Sequence, residues 1–416
     1  MATLDHGALA NGATAARDTK VIALISAGHF FSHFYILSLP PLFLFLQKEF
    51  EVSYVALGLV MTAYNLIGGV IQAPVGFLVD RIGARLLLLL GFGLNAIAVG
   101  LIGVVDSYWM LLALAVLAGI GNSVFHPADY AIMSGTVSEA KVGRAFGIHT
   151  FAGFFGGSVA PVTMGLMAAA WGWRTALVVA GALGLVTLAV MAANSAVLGR
   201  AAPGKAGTGA AINADATARS GWSLLMTPAM LLFFVLFCGV TSTTSGIYAF
   251  TINGLIDLHG TSYTIANAAL TGFLMASSFG VLLGGYLADR VGRHDLVASV
   301  ALIAAAAAML VPALASPSAA LLIVVMSLSG LAFGTVQPAR DMMVRAITPA
   351  TEMGKVFGFL SVGMSLGASV SPLIFGWLMD AGRPDGVFFA AAAFMILTLL
   401  AALAGRFVGT RSGMGR

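Results

Sequence analysis

Long apolar stretches alternate with short polar breaks along almost the whole chain. A helix that crosses the hydrocarbon core of a bilayer, about 30 Å thick, needs roughly 20 mostly apolar residues. Twelve stretches reach that length, and they are continuously apolar, whereas the strands of a membrane barrel alternate between polar and apolar residues. The pattern therefore predicts helices over 21–46, 53–79, 86–105, 109–131, 144–169, 175–198, 228–252, 263–288, 295–315, 319–339, 355–379 and 386–408.

Composition supports a membrane protein. Hydrophobic residues make up 59% of the 416 residues and charged residues 9%, against roughly 45–50% and 25% in soluble domains. We predict an all-α integral membrane protein with about 12 transmembrane helices, whose main partner is the lipid bilayer. Residues 1–20 are polar and lack the short apolar core of a cleaved signal peptide. They are expected to form a cytoplasmic tail.

The distribution of positive charge predicts the orientation of the chain. With both termini in the cytoplasm, 17 of the 20 Lys and Arg residues fall on the cytoplasmic side, and only Lys48, Arg174 and Arg383 fall outside. Membrane proteins show this bias. The net charge of +4 is dispersed among loops and forms no basic patch with interleaved aromatic residues, so no nucleic-acid partner is expected. Residues 410–416 are expected to form a second cytoplasmic tail.

The two halves of the chain repeat each other. GFLVDRIGAR at 76–85 returns as GYLADRVGRH at 285–294, and GIGNSVFHPAD at 119–129 aligns with GLAFGTVQPAR at 330–340. These repeats predict two six-helix bundles in the same orientation, with a binding cavity between them and transport by alternating access. The bundles are placed at 21–198 and 226–409, and the break at 199–225, rich in Gly, Ala and Thr, is expected to be a cytoplasmic linker.

These motifs resemble a known family. The repeated G-x-L-x-D-R-x-G pattern resembles the loop signature of the major facilitator superfamily. Within that family, the stretches 28–34 (GHFFSHF), 46–81 and 121–129 (GNSVFHPAD) are similar to the fosmidomycin-resistance group of bacterial efflux proteins. The resemblance implies a transporter of the bacterial inner membrane that exports a drug or metabolite in exchange for protons. His33 stands where that group usually carries an acidic residue in its first span.

The repeated loop motif has two interpretations. Gly76 and Gly83 permit close helix approach and a tight turn, and Asp80 can interact with the partial positive charge of a helix N-terminus. Arg81 and Arg85 hold the loop on the cytoplasmic side. The motif is then either a simple turn or a latch that forms and breaks during transport, and the resemblance supports the latch. Its second copy contains Asp289, Arg290, Gly292 and Arg293.

Two histidines are expected near the middle of the membrane. His29 and His33 lie four residues apart on one face of the first span. Ionisable residues at that depth are costly and usually face a cavity, and histidine changes charge near neutral pH. Substrate binding or proton coupling, hydrogen bonding between helices, and metal ligation are the alternatives. Metal is the least favoured, because His126 and His149 are expected closer to the cytoplasmic side. We therefore predict no metal and no cofactor.

One acidic residue lies close to the lipid core. Asp129 is expected near the cytoplasmic end of the fourth span, so it is a candidate proton carrier or gate. Arg340 and Asp341 occupy the equivalent point of the tenth span. Since charges are then expected at matching depths, a cytoplasmic gate that bridges the halves is preferred to a carrier.

Further polar residues lie on spans that are expected to face the cavity. The run 241–245 (TSTTS) places five hydroxyl groups side by side, and these groups either line the cavity or bond carbonyls of their own helix. The full set expected to serve substrate binding or proton coupling comprises His29, His33, Tyr35, Tyr64, Asn65, Asn122, His126, Thr241, Ser242, Thr244, Ser245, Tyr248, Gln337, Ser361 and Ser365.

The fifth span contains GFFGGSVAPVTMG at 153–165, which partly resembles the glycine-proline signature of proton antiporters. The eleventh span repeats the spacing at Gly367, Pro372 and Gly376. Because both halves share the pattern, close packing of helices through small residues is the preferred interpretation.

The energy source is expected to be an ion gradient, because the chain contains no G-x-x-x-x-G-K-[ST] nucleotide motif. No catalytic constellation is recognisable, so an enzyme is not expected. A membrane-embedded enzyme and a receptor without transport are the rivals. We predict a monomeric secondary active transporter whose partners are a small organic solute and protons. Export by exchange with protons is preferred, and proton-coupled uptake of an organic anion or similar metabolite is the alternative.

Overall fold

The computed structural model of the protein describes residues 6–199, 224–348 and 352–411. Within these ranges the chain forms 12 helical segments that are long and apolar enough to cross a membrane. The all-α class and the twelve predicted spans are thus confirmed. The helices are satisfied by their own backbone hydrogen bonds, which is the requirement that lipid imposes on a spanning segment.

The first half of the chain contains eight helices. The first span combines α1 and α2 through a short 3-10 turn at Pro40–Leu42, and the fourth combines α5 and α6 across a break at 123–124. The bounds are α1 His6–Ile36, α2 Phe43–Phe50, α3 Tyr54–Ile82, α4 Ala84–Ile102, α5 Tyr108–Asn122, α6 Phe125–Thr136, α7 Glu139–Trp171 and α8 Trp173–Ala193.

The second half contains six helices, one for each predicted span. Their bounds are α9 Pro228–His259, α10 Tyr263–Arg290, α11 His294–Leu314, α12 Ala319–Ile347, α13 Met353–Asp380 and α14 Asp385–Arg411.

The predicted tails and linker are covered only in part. Helix α1 begins at His6, so the described residues of the predicted tail 1–20 are helical. Most of the predicted linker 199–225 lies outside the described residues. Within the predicted tail 410–416, α14 continues to Arg411 and the remainder also lies outside them.

Short polar residues start several helices. The hydroxyls of Ser107, Thr227, Ser262 and Ser318 each accept a hydrogen bond from the backbone N–H three residues on, at the starts of α5, α9, α10 and α12. Such caps satisfy one of the free amides of the first turn. A sharp turn at Gly83, with φ of +96°, joins α3 to α4. The predicted tight turn at Gly83 is therefore present.

The chain packs into two compact units. The first contains α1, α4, α5, α6, α8 and the part of α7 up to Ala160, and in it α4 contacts α5, α6 and α8 while α1 contacts α6 and α8. The second contains α9–α14, in which α9 packs on α13 and α14, and α12 packs on α10 and α11. It also contains Leu37–Leu66 and Pro161–Ala170. Two segments of the predicted first half therefore pack with the second.

Candidate functional site

Four histidines from three helices meet inside the first unit. The ring centre of His29 on α1 lies 4.7 Å from that of His33, one turn further on. It lies 5.3 Å from the ring centre of His126 on α6, and it stacks on the ring of His149 on α7 at 3.7 Å. The expectation that His126 and His149 lie at a different depth from His29 was wrong, because depth depends on how the helices break and pack, which hydropathy does not show.

Four of the eight ring nitrogens of this histidine cluster (His29, His33, His126 and His149) are buried and have no hydrogen-bond partner among the described residues. His29 is 4% exposed and its Nδ1 lies 2.9 Å from the backbone oxygen of His149. Its Nε2, Nδ1 of His126 and both ring nitrogens of His149 have no hydrogen-bond partner among the described residues. Buried polar groups in proteins are normally paired, so each unpaired group needs an explanation. An ordered water, a bound ion or a functional role is the usual explanation.

Asp129 lies next to the histidine cluster. Its side chain is fully buried, and neither carboxylate oxygen has a hydrogen-bond partner in the described part of the chain. The nearest titratable atom is Nε2 of His149, 3.7 Å from Oδ2. An ionised carboxylate costs several kcal/mol to bury without a partner. Asp129 therefore needs a proton or a nearby cation whenever the site is closed.

The absence of a side chain at Gly153 makes room for two of the histidine rings. A Cβ added there would lie 2.6 Å from Cε1 of His29 and 2.9 Å from Cδ2 of His33. At Gly156, three residues along α7, a Cβ would overlap the backbone of Phe30. These contacts support the packing interpretation of the 153–165 glycines. They also show that α7 and α1 touch where the histidines lie.

A network of side-chain hydrogen bonds also involves Ser32 of α1, which precedes His33. Ser32 Oγ donates to Oδ1 of Asn122 at 2.7 Å, and Nδ2 of Asn95 reaches the same oxygen at 3.3 Å. Tyr35 donates to the backbone oxygen of Ala180 at 3.1 Å. The predicted residues Asn122 and Tyr35 are therefore engaged within the first unit.

The hydroxyl run of α9 is mostly satisfied by its own helix. Thr241, Thr243 and Thr244 donate to carbonyls three or four residues earlier, and the backbone oxygen of Ser242 accepts from Ser371. The second interpretation of this run, bonding along its own helix, holds for these threonines. Ser245 remains a predicted cavity residue.

Arg340 is also satisfied inside the second unit. It is 6% exposed, its Nε donates to Asp341 Oδ1 at 3.0 Å, and its guanidinium lies 4.1 Å from the ring centre of Phe237. Asp129 has His149 as its nearest titratable neighbour instead. A charge gate that joins Asp129 to Arg340 stays a prediction.

The residues of the repeated loop motif lie at the surface. Asp80, Arg81, Asp289, Arg290 and Arg293 are exposed. A Cβ on Gly76 would meet nothing within 4 Å, so the close helix approach expected there was wrong. Arg85 Nη1 lies 3.4 Å from the backbone oxygen of Ser195, Arg290 stacks on Tyr286, Arg293 pairs with Asp295 at 3.8 Å, and Gly292 is exposed.

The remaining predicted residues are dispersed. Asn65 Nδ2 lies 3.3 Å from the backbone oxygen of Ala368, and Ser361 is exposed and donates to Phe357. Tyr64 is buried, whereas Tyr248, Gln337 and Ser365 are half-buried.

A second polar group, which the sequence did not reveal, lies inside the second unit at the start of α3. The two carboxylate oxygens of Asp380 accept from the backbone N–H groups of Tyr54 and Val55 at 2.8 and 2.9 Å. The Tyr54 hydroxyl donates to Asp257 at 2.8 Å, and that of Tyr263 donates to the Pro41 carbonyl at 2.8 Å. A Ser-Tyr pair begins both α3 and α10, and this repeat was the signal available in the sequence.

Comparison with known proteins identifies the family. The family model of the Major Facilitator Superfamily matches residues 24–256 and 240–412. The chain belongs to the major facilitator superfamily. As a member of that superfamily it is a multi-pass membrane transporter of small solutes and not an enzyme.

The individual relatives share low sequence identity with this chain. The chain is 26% identical over 296 residues to the Fosmidomycin resistance protein of Escherichia coli (strain K12), covering 70% of each. It is 26% identical over 377 residues to the probable sulfoacetate transporter SauU of Cupriavidus necator, covering 86% of each. A bacterial homologue of the human lysosomal transporter Spinster, in an inward-facing and occupied conformation, matches with a TM-score of 0.76 and 15% identity. That match covers 94% of this chain and 97% of the homologue, and it shows the fold.

Proposed function

We propose that this protein exports a small organic solute across the bacterial inner membrane in exchange for protons, with both termini in the cytoplasm. The observation that carries the proposal is the environment of Asp129, a fully buried carboxylate on a spanning helix whose two oxygens lack hydrogen-bond partners among the described residues. Ionisable residues inside membrane spans commonly mark ion and proton pathways. Asp129 is the proposed proton carrier.

The groups around Asp129 favour a proton over a permanent ion pair. His149 of α7 faces it at 3.7 Å and itself stacks on His29 of α1. His126 and Tyr130 lie on its own helix, and Tyr130 contacts the His149 ring. Helix α4 also packs on α6. The guanidinium of Arg85 on α4 donates to the backbone oxygen of Ser195 at 3.4 Å. No Lys or Arg side chain pairs with Asp129 in the described ranges, so a proton is the simplest partner.

Alternating access between the two sequence repeats would require the polar contacts at the start of α3, which join residues of both repeats, to break in each cycle. With cytoplasmic termini, this point lies at the outer face of the membrane. Asp380 and Asp257, from the ends of α13 and α9, bond Tyr54 there. Hydrogen bonds to charged groups contribute about 1.5–3 kcal/mol each, so a small number of them can break and re-form in each cycle.

The direction of transport rests on the relatives. The name of the E. coli relative, a fosmidomycin resistance protein, is that of a protein that protects a cell from a small toxic molecule. Removal of such a molecule requires export, and export by exchange uses the inward proton gradient of the bacterial membrane. Uptake of an organic anion with protons is the second candidate, and the sulfoacetate transporter named among the relatives favours it.

Solute-induced proton movement tests the proposal. Purified protein is reconstituted into liposomes that contain a pH-sensitive dye, with equal pH on both sides and the membrane potential held at zero. Phosphonates, carboxylates and lipophilic drugs are added outside singly. Exchange should raise the pH of the lumen as protons leave, and symport should lower it as protons enter with the solute.

Two matched variants identify the carrier. Asp129→Asn should abolish the proton signal while solute still binds, because the amide cannot release a proton. Asp106→Asn removes an exposed acidic residue that lies outside the predicted site and should leave the signal within about twofold of wild type. Solute entry with no proton movement in the wild-type protein would refute proton coupling, and a fall in lumen pH would replace export with the symport alternative.

A further inference from the structure

The histidine cluster has a property that proton-coupled transport does not require. One ring nitrogen each from His29, His33 and His126 lies within 4.8 Å of the other two. We infer that these three residues bind a divalent transition-metal ion of the zinc class, within the spanning helices of the first unit. The inference goes beyond the proposed function, because it concerns an ion that remains bound whether or not protons move.

The hydrogen bond of His29 prepares one ligand atom. A backbone carbonyl can only accept, so Nδ1 of His29 must carry the hydrogen that it shares with the His149 oxygen at 2.9 Å. In a neutral ring the lone pair then lies on Nε2, which is buried and unpaired among the described residues. Metal-binding histidines typically donate their other N–H to a carbonyl or carboxylate in this way.

The spacing is close to that of a metal site. Zinc–nitrogen bonds of about 2.0–2.1 Å place tetrahedral nitrogens about 3.4 Å apart. The ring nitrogens lie up to 4.8 Å apart, so the rings must approach one another by up to about 1.4 Å to bind the ion. His33 and His126 are half-buried, so they can turn toward His29 more easily than a fully packed side chain.

The surroundings can stabilise a cation. Gly153 leaves the space in which the His29 and His33 rings stand edge to face. Behind them, the Asp129 carboxylate lies 3.7 Å from His149, whose ring stacks on His29. A divalent ion bound by three neutral imidazoles keeps its full charge. The buried carboxylate of Asp129, separated from the His29 ring by that of His149, offsets part of this charge.

The donor set determines the class of ion. Imidazole suits zinc, copper, nickel and iron, whereas calcium and magnesium prefer oxygen ligands. The single cysteine, Cys238, lies on α9 in the second unit, so the site offers no thiolate. Three protein ligands leave a fourth position, which water or a polar group of the solute can fill.

Direct binding measurements test the inference. The full-length protein is purified in detergent without a histidine tag, treated with chelator, and titrated with Zn²⁺ by calorimetry and with Co²⁺ by visible absorption. We expect one ion per chain and the strong visible bands of tetrahedral Co²⁺. Loss of a metal's supporting partner weakens binding roughly 10–100-fold, so loss of a ligand in His33→Gln or His126→Gln should cost roughly 100-fold or more.

Two further variants separate ligation from general damage. Gly153→Ala removes no ligand but places a methyl group against both rings, and it should also weaken binding. His259→Gln removes a histidine outside the cluster and should bind like wild type. Size-exclusion profiles and thermal unfolding confirm that each variant is folded. No binding by the wild-type protein, or wild-type affinity in both His33→Gln and His126→Gln, overturns the inference.

The outcome is independent of the transport test. Calorimetry in detergent needs no gradient, so failure to bind metal leaves proton-coupled export standing. Failure of the solute to move protons likewise leaves a measured metal site standing.

Discussion

At the scale of single residues, close contacts determine which positions tolerate change. The Tyr35 hydroxyl bonds the Ala180 carbonyl and lies directly against the bare backbone of Gly184 on α8. A methyl group at Gly184 would overlap that hydroxyl, and the next nearest atom, Cζ of Tyr35, would be 2.9 Å away. In contrast, a methyl group at Gly76 would meet nothing within 4 Å. Gly184 therefore has no room for a side chain, whereas Gly76 does.

We expect Gly184→Ala to lower stability by about 1–3 kcal/mol, the usual cost of overpacking. Gly76→Ala should be neutral or stabilising by up to about 1 kcal/mol, because alanine favours the helix over glycine. Thermal unfolding of the two purified variants in detergent provides the comparison. Equal stability of the two variants would show that Tyr35 does not occupy the position described.

The cluster shows what sequence can predict at this scale. His29 and His33 were expected together, because their spacing on one helix fixes them on one face. Their contact with His126 and His149 was not expected. Depth along different helices depends on where each helix breaks and how it packs, and hydropathy does not record either.

At the scale of the elements, the start of α3 depends on a residue from α13. The first N–H groups of a helix have no partner within it. Asp380 accepts from two of them, at Tyr54 and Val55, and its negative charge also faces the positive end of the helix dipole. The two helices are joined by this contact inside the second unit.

We expect Asp380→Ala to loosen this end of α3. Loss of a cap costs about 0.5–2 kcal/mol, so amide exchange in the peptide 54–58 should accelerate roughly tenfold. Asp106→Ala, which removes an exposed acidic residue that pairs with Arg174 at 3.7 Å, is the matched control and should not change exchange there. Hydrogen–deuterium exchange followed by mass spectrometry measures both. Unchanged exchange in Asp380→Ala would show that the cap is not formed in solution.

The elements themselves were largely predictable. All twelve spans were recovered because length and continuous apolarity are physical requirements of the bilayer. Hydropathy does not show the break between α5 and α6, but Pro127 is a kink signal in the sequence, because it cannot donate to the Ser123 carbonyl four residues earlier. The contact of Asp380 with α3 was missed because Asp380 lies more than 300 residues after Tyr54 in the chain.

At the scale of the whole molecule, the family match assigns the chain to a class of membrane transporters, and proton coupling is our proposal from the site. The predicted halves follow the sequence repeat, whereas the compact units also group Leu37–Leu66 and Pro161–Ala170 with α9–α14. The first unit holds the histidine cluster and Asp129. Under the proposed exchange of solute for protons, the proton gradient sets the final ratio of solute concentrations across the membrane.

The central claim, export of a solute in exchange for protons, is tested most directly by the steady-state ratio of solute concentrations inside and outside liposomes. Liposomes containing the protein are given a series of pH differences at zero membrane potential, and the solute found active in the dye experiment is measured inside and outside. One pH unit corresponds to about 1.4 kcal/mol, so each exchanged proton should raise the ratio about tenfold per pH unit. The account predicts accumulation in the more acidic compartment. A ratio that stays at one across the whole series would contradict proton-coupled transport.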